Sequence, residues 1–194
     1  MRRLRPRLPG PGSEPLVSVA RSVLPFALAF FVAGGAGASP QAHVAYRTGV
    51  CGVGSESLWQ DTRWCNGVVG DLILGRERND DFGLGPFVEV SSAGFWDARY
   101  GGGLSALAPI TSDFPLVLSF GAFGHEARSV ALGGSLFFGL RSYNFHGSYN
   151  YSLGLVASGY RDLAADHETL LSIGLELDGF FLVAPFLLAA AALQ

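Results

Sequence analysis

The chain has 194 residues, enough for one domain, and is 49% apolar with only 15% charged residues. Its formal charge is −3, but five arginines fall in the first 38 residues, and from residue 39 onward eight arginines face fifteen Asp and Glu, a net of −7. That acidic balance, with no lysine anywhere in the chain, disfavours a nucleic-acid partner, because phosphate binding needs a basic footprint.

Residues 1–38 read as a cleaved secretory signal. Arg2, Arg3, Arg5, Arg7 and Arg21 supply a positive start, Val23 to Val32 an apolar run, and Ala36-Gly37-Ala38 a small-residue cleavage site. The apolar run is about ten residues, short of the ~20 that a spanning helix needs. Export into an oxidising compartment leaves Cys51 and Cys65 free to pair. A bridge between them would close a loop of about 15 residues, worth roughly 3 kcal/mol; two unpaired thiols are the alternative. No histidine lies near them in sequence to complete a zinc site, and no metal or cofactor is expected.

From residue 39 to 181 the chain alternates with a two-residue period, the signature of strands. The first strand, about Val44 to Gly52, sets Val44, Tyr46, Thr48 and Val50 against His43, Ala45, Arg47, Gly49 and Cys51. A polar stretch, Val53 to Trp64, carries Trp59 and reads as a long loop. The second strand, about Gly67 to Gly75, places Asp71 opposite Leu72 and Leu74, and Arg76 to Asp81 is a turn. The third, about Phe82 to Ser91, points Leu84, Val88 and Val90 one way and Phe87 and Glu89 the other. Pro86 predicts a bulge there, because proline cannot donate to a ladder.

The fourth strand, about Phe95 to Leu107, sets Trp96, Tyr100 and Leu104 against Asp97, Arg99, Gly101 and Gly103; the fifth, about Leu116 to His125, sets Leu118 and Phe120 against Ser119 and Gly121. The sixth, about Val130 to Arg141, ends its polar face on Arg141. The seventh, about Tyr149 to Tyr160, sets Tyr151, Leu153 and Leu155 against Ser152, Gly154 and Ser158. The eighth, about Thr169 to Gly179, sets Leu171, Ile173, Leu175 and Leu177 against Ser172, Gly174, Glu176 and Asp178. Residues 182–194 form an apolar tail interrupted by Pro185, with no structure assigned.

Eight such runs, each near the 9–11 residues of a tilted membrane strand, predict an all-β fold: an eight-stranded antiparallel up-and-down transmembrane β-barrel, apolar outside and polar within. Aromatics at strand ends (Trp64, Trp96, Phe82, Phe114, Tyr149, Tyr151) suit the water–lipid boundary. The inward faces collect Arg47, Asp71, Glu89, Asp97, Arg99, Arg141, Glu176 and Asp178. A barrel of this size is just wide enough for its side chains to fill it, so paired charges that plug the lumen compete with an ion path, and an open porin would need about twice as many strands. The inward glycines are read as making room for the long arginines.

For chemistry, His146-Gly147-Ser148 places an imidazole two residues from a hydroxyl, the spacing at which one could activate the other on a strand face. His125-Glu126 and His167-Glu168 read as solvated loop residues. Gly101-Gly102-Gly103 lacks the helix and lysine of a phosphate loop and reads as close packing or curvature.

With the signal, the alternation and the eight segments in hand, residues 42–180 resemble the small bacterial outer-membrane β-barrel superfamily, including OmpA- and OmpX-type domains. The resemblance rests on pattern. It implies residence in the outer membrane of a Gram-negative cell envelope, termini in the periplasm, and outer-membrane lipid and the assembly machinery as partners. The first reading is accordingly a non-enzymatic barrel with a structural or surface-binding role, any binding being expected at the Val53–Trp64 loop, which exposes Trp59 and would be pinned at its base by Cys51–Cys65. Such barrels close on a terminal aromatic, whereas here Phe180, Phe181 and Phe186 lie inside the end at Gln194. The His146/Ser148 spacing is similar to that of the outer-membrane lipid A deacylases, which makes a lipid-modifying enzyme the second reading. A soluble lipocalin-like periplasmic carrier is the third, and it needs apolar side chains inside and polar ones outside.

Overall fold

A computed structural model of the chain describes residues 40–55, 57, 59–94, 96–125, 129–143, 150–163 and 167–180, with the side chains of 142, 143 and 150 left aside. Eight strands follow one another: β1 (Gln41–Gly54), β2 (Asp61–Ile73), β3 (Gly83–Ala93), β4 (Asp97–Pro109), β5 (Pro115–His125), β6 (Ser129–Tyr143), β7 (Asn150–Asp162) and β8 (Thr169–Asp178). Each pairs antiparallel with its sequence neighbour, and β8 pairs back onto β1, closing an all-β barrel. Among the described residues no helix is long and apolar enough to cross a membrane.

The register fixes the winding of this cylinder. Following directly opposed residues from His43 through Asp71, Phe87, Gly103, Gly121, Gly133, Tyr160 and Leu170 returns to β1 at Val53, ten residues beyond the start. A shear of ten over eight strands tilts them by about 40° to the axis. We call the end where β1 begins the near rim and the opposite end the far rim.

Alternation sorts the side chains. Val44, Val68, Val88, Val90, Leu104, Leu118, Phe120, Leu136, Phe138, Leu155, Ile173 and Leu175 are exposed on the outer surface. Along the outward positions of the described strands the single charged residue is Arg161, near the far rim. Inside, Glu89, Arg99, Arg141, Glu176 and Asp178 are buried. The interior is not purely polar, however. Two apolar clusters share it, one containing Val69, Phe87, Phe123, Tyr160 and Leu170, the other Ile73, Leu107, Val117 and Phe137. A barrel this narrow has to be filled, and aromatic rings fill it at lower desolvation cost than further charges.

Several local expectations are corrected. Pro86 makes no bulge: β3 and β4 stay in unbroken register from Gly83↔Leu107 to Ala93↔Asp97. On its other side the β2–β3 ladder stops at Asp71↔Phe87 and resumes at the isolated Leu74↔Leu84 bridge, so the imino nitrogen falls in a gap of that ladder with no residue inserted. The long loop predicted over Val53–Trp64 is short, because β1 runs to Gly54 and β2 starts at Asp61. Several inward glycines serve aromatic rings and neighbouring backbone instead of arginines. A β-carbon at Gly133 would strike the Tyr160 ring and one at Gly101 the Phe123 ring, while Gly83 does lie against the Arg76 side chain.

Candidate functional site: the ionic lumen

Cys51 and Cys65 form a disulfide with a Cα–Cα distance of 5.8 Å. They are not directly opposed: Cys51 faces Arg63 and Cys65 faces Gly49 in the β1–β2 ladder. The bridge therefore runs diagonally inside the barrel, against the larger apolar cluster, and not at the base of a long loop. The turn it was expected to pin spans only 55–60, where Trp59 is half exposed.

The predicted lumen charges separate into three tiers. In the middle, the Arg47 guanidinium from β1 donates through Nε to Glu176 of β8 at 2.8 Å and through Nη1 to Glu89 of β3 at 2.8 Å. Nη1 also reaches Ser135 Oγ at 3.2 Å, and the Tyr160 hydroxyl donates to Glu89 Oε1. Glu89 is thus shared between a cation and a neutral donor, and Glu176 takes the other arm of the same guanidinium, the pairing that buried charges require.

Nearer the β1 start, Arg141 donates to Asp71 Oδ1, while Asp71 Oδ2 lies 3.3 Å from His43 Nδ1. His43 Nε2 is 2.7 Å from Ser152 Oγ and 3.8 Å from Glu176 Oε1, which couples this tier to the middle one. Asp178 is fully buried and its Oδ1 accepts the Phe180 backbone N–H at 2.6 Å. Arg76, read from sequence as a turn residue, is buried at the near rim and donates to the Asp81 carbonyl at 2.8 Å and the Asn79 carbonyl at 2.5 Å.

At the far rim, Asp97 lies 2.5 Å from His125 Nε2, and Arg99 and Arg63 each reach its Oδ2 at 3.4 Å. Arg99 also pairs with Glu168 at 3.0 Å, and His125 Nδ1 lies 3.5 Å from Asp162. His125 and Glu168 are therefore members of an ion-pair cluster and not free solvated loop residues, whereas His167 is exposed and takes a positive φ of 45°. Between the middle and far tiers lies a cavity of about 40 Å³ bordered by Arg47, Glu89, Ser91, Arg99 and Ser158, with room for a few waters.

Sequence reading missed His43, Arg63, Arg76, His125, Ser152, Tyr160, Asp162 and Glu168 as partners. Face parity was the one available signal: His43, Ser152 and Tyr160 all fall on inward positions, but their partners lie 28 to 109 residues away.

Asp71, His43 and Ser152 stand in the order of an orienting carboxylate, a base and a hydroxyl. Ser152 has no exposed surface and His43 is 1% exposed, so no reacting carbonyl has a place beside that hydroxyl. The His146/Ser148 pair, the predicted signal over 1–38 and the tail 182–194 lie outside the described residues. Among the described residues no group of His, Cys, Asp and Glu is arranged to hold a metal ion.

No protein-family model, curated protein or solved structure matches the chain. The fold and the lumen define its class: a small, closed, eight-stranded antiparallel β-barrel with an ion-paired interior.

Proposed function

We propose that the protein is a non-enzymatic integral barrel of the bacterial outer membrane, with a side-chain-plugged, non-conducting lumen and a structural or surface-binding role. One observation carries this reading. Among the described strand residues the outward face is free of charge except for Arg161 and mostly apolar, while Glu89, Arg99, Arg141, Glu176 and Asp178 are enclosed. In water that distribution is reversed from what solvation favours; it suits hydrocarbon, where a closed barrel also leaves no sheet edge open. A lipocalin-like carrier needs the opposite arrangement of faces. The exposed Trp59 turn is the segment through which a surface contact would be made.

The test is fractionation of cells expressing the full chain. The expected result is recovery in the outer-membrane fraction, resistant to alkaline extraction, with a band whose gel mobility shifts on boiling, and no steady conductance in planar bilayers. Recovery in the soluble periplasm would end the membrane reading; stable ion conductance would end the plugged-lumen part of it.

A further inference from the structure

The outward face of β1 and β2 interrupts its apolar surface with a hydrogen-bonded cluster. Tyr46 Oη donates to Asn66 Oδ1 at 2.6 Å, Thr48 Oγ1 at 3.0 Å and Trp64 Nε1 at 3.1 Å. The indole N–H only donates, so the carboxamide oxygen must face inward to the cluster and the amide nitrogen must face away from it. Among the described residues no acceptor meets that nitrogen. Two N–H donors are thus presented on the outer surface, directly opposite Ser92 of β3, whose hydroxyl is engaged with the Gly94 carbonyl.

The position is informative. Val68 and Val90 flank Asn66 toward the near rim and are exposed, while Trp64 stands one outward position toward the far rim. The donors therefore lie toward the far-rim edge of the apolar band, one row inside a tryptophan of the kind that marks a water–lipid boundary. An amide N–H left without an acceptor in hydrocarbon costs several kcal/mol. No arginine, lysine or other cation stands on the outward positions of β1, β2 or β3, so the cluster is neutral and offers nothing to balance a phosphate.

We propose that the Asn66 carboxamide, held by Tyr46, Thr48 and Trp64, is a binding site for one membrane lipid, recognised through an acyl ester or amide carbonyl at the head of its chains. The inference rests on the membrane reading above. Its chemistry is shared by glycerophospholipids and by acylated glucosamine lipids of the lipid A type.

The experiment uses the full chain in mild detergent, with bound lipids counted by native mass spectrometry. The probes are a diacyl phospholipid, its dialkyl ether analogue, which lacks the carbonyls, and lipid A. The wild type is expected to retain the diacyl phospholipid or lipid A, the better retained of the two naming the source. The ether analogue, and either acyl lipid with Asn66→Leu, should bind about fivefold to tenfold more weakly, the effect of one neutral hydrogen bond. Trp64→Phe, which removes the indole donor that orients the amide, is the second variant should Asn66→Leu not fold. Equal retention of ester and ether lipids, or retention unchanged in the variants, would overturn the site. So would a dimer of the wild type that Asn66→Leu dissolves, since the donors would then serve a second copy. Gel mobility and membrane recovery of the wild type, scored in parallel, separate failure of this site from failure of the membrane reading.

Discussion

Arg47 and Glu176 face each other directly across the β1–β8 seam, with Nε 2.8 Å from Oε2. The seam that closes the cylinder is thus fastened by a side-chain ion pair as well as by its ladder. Glu89 approaches the same guanidinium from β3, so the cation ties three strands that are not all neighbours.

Removing Arg47 leaves two enclosed carboxylates without their cation. Arg47→Ala is expected to cost about 3–5 kcal/mol of unfolding free energy, read from urea titration of the folded-to-unfolded gel mobility shift. The triple variant Arg47→Met, Glu89→Leu, Glu176→Leu is expected to recover most of that loss, because replacing a whole buried ionic group with apolar side chains is near neutral. A single variant as stable as the wild type would mean that the lumen charges are solvated.

The diagonal disulfide makes a separate prediction. Replacing both Cys51 and Cys65 with serine should destabilise the barrel by roughly 3 kcal/mol, the chain-entropy value for a loop of about 15 residues. Non-reducing unfolding of the wild type against its reduced form measures the same quantity without mutation.

The outer surface can be probed with charge. Val88 on β3 is 67% exposed, with Leu104 and Val90 near it on the outer face. In lipid, Val88→Arg should cost about 2–4 kcal/mol and Val88→Leu almost nothing. In a soluble barrel the arginine would be neutral or would raise solubility. Refolding yield into vesicles of the three proteins distinguishes the outcomes.

The turn between β2 and β3 responds to acid. The backbone N–H groups of Glu77 and Arg78 donate to Asp81 Oδ2 at 3.0 and 2.7 Å and hold its carboxyl below its ordinary value of 3.8. A carboxylate with a depressed folded value adds stability that is complete above the unfolded value and is lost as pH falls through the folded one. Proteolytic nicking of residues 76–81 is therefore expected to rise only below about pH 4. Asp81→Ala should nick readily at neutral pH; equal resistance in that variant would show that the carboxylate does not organise the turn.

Strand number and face assignment were legible in the sequence because both follow from one local rule, the alternation of side chains, and that rule was clear in stretches such as Leu171 to Asp178. It failed where β2 begins. Asp61, Thr62 and Arg63 are strand residues that read as loop, since a strand reaching beyond the apolar band no longer needs an oily face. Pro86 misled for a different reason. Whether an imino nitrogen disrupts a ladder depends on which neighbour its missing donor would have met, and that is a property of register. The partners of His43, His125 and Tyr160 were hidden because they come from strands far away in sequence. Parity could place these side chains inside but could not say whom they meet.

Gly49 and Gly174 oppose each other on the β1–β8 seam, and a β-carbon on either would press into the other's backbone. The first and last ribbons of the hoop therefore meet, at this level, bare chain against bare chain. A methyl group at either position would act as a shim in the clasp that joins the two ends of the hoop. The same meeting of bare chain recurs at Gly103–Gly121 and Gly139–Gly154, so one added methyl at any of the three would wedge open a seam of the hoop.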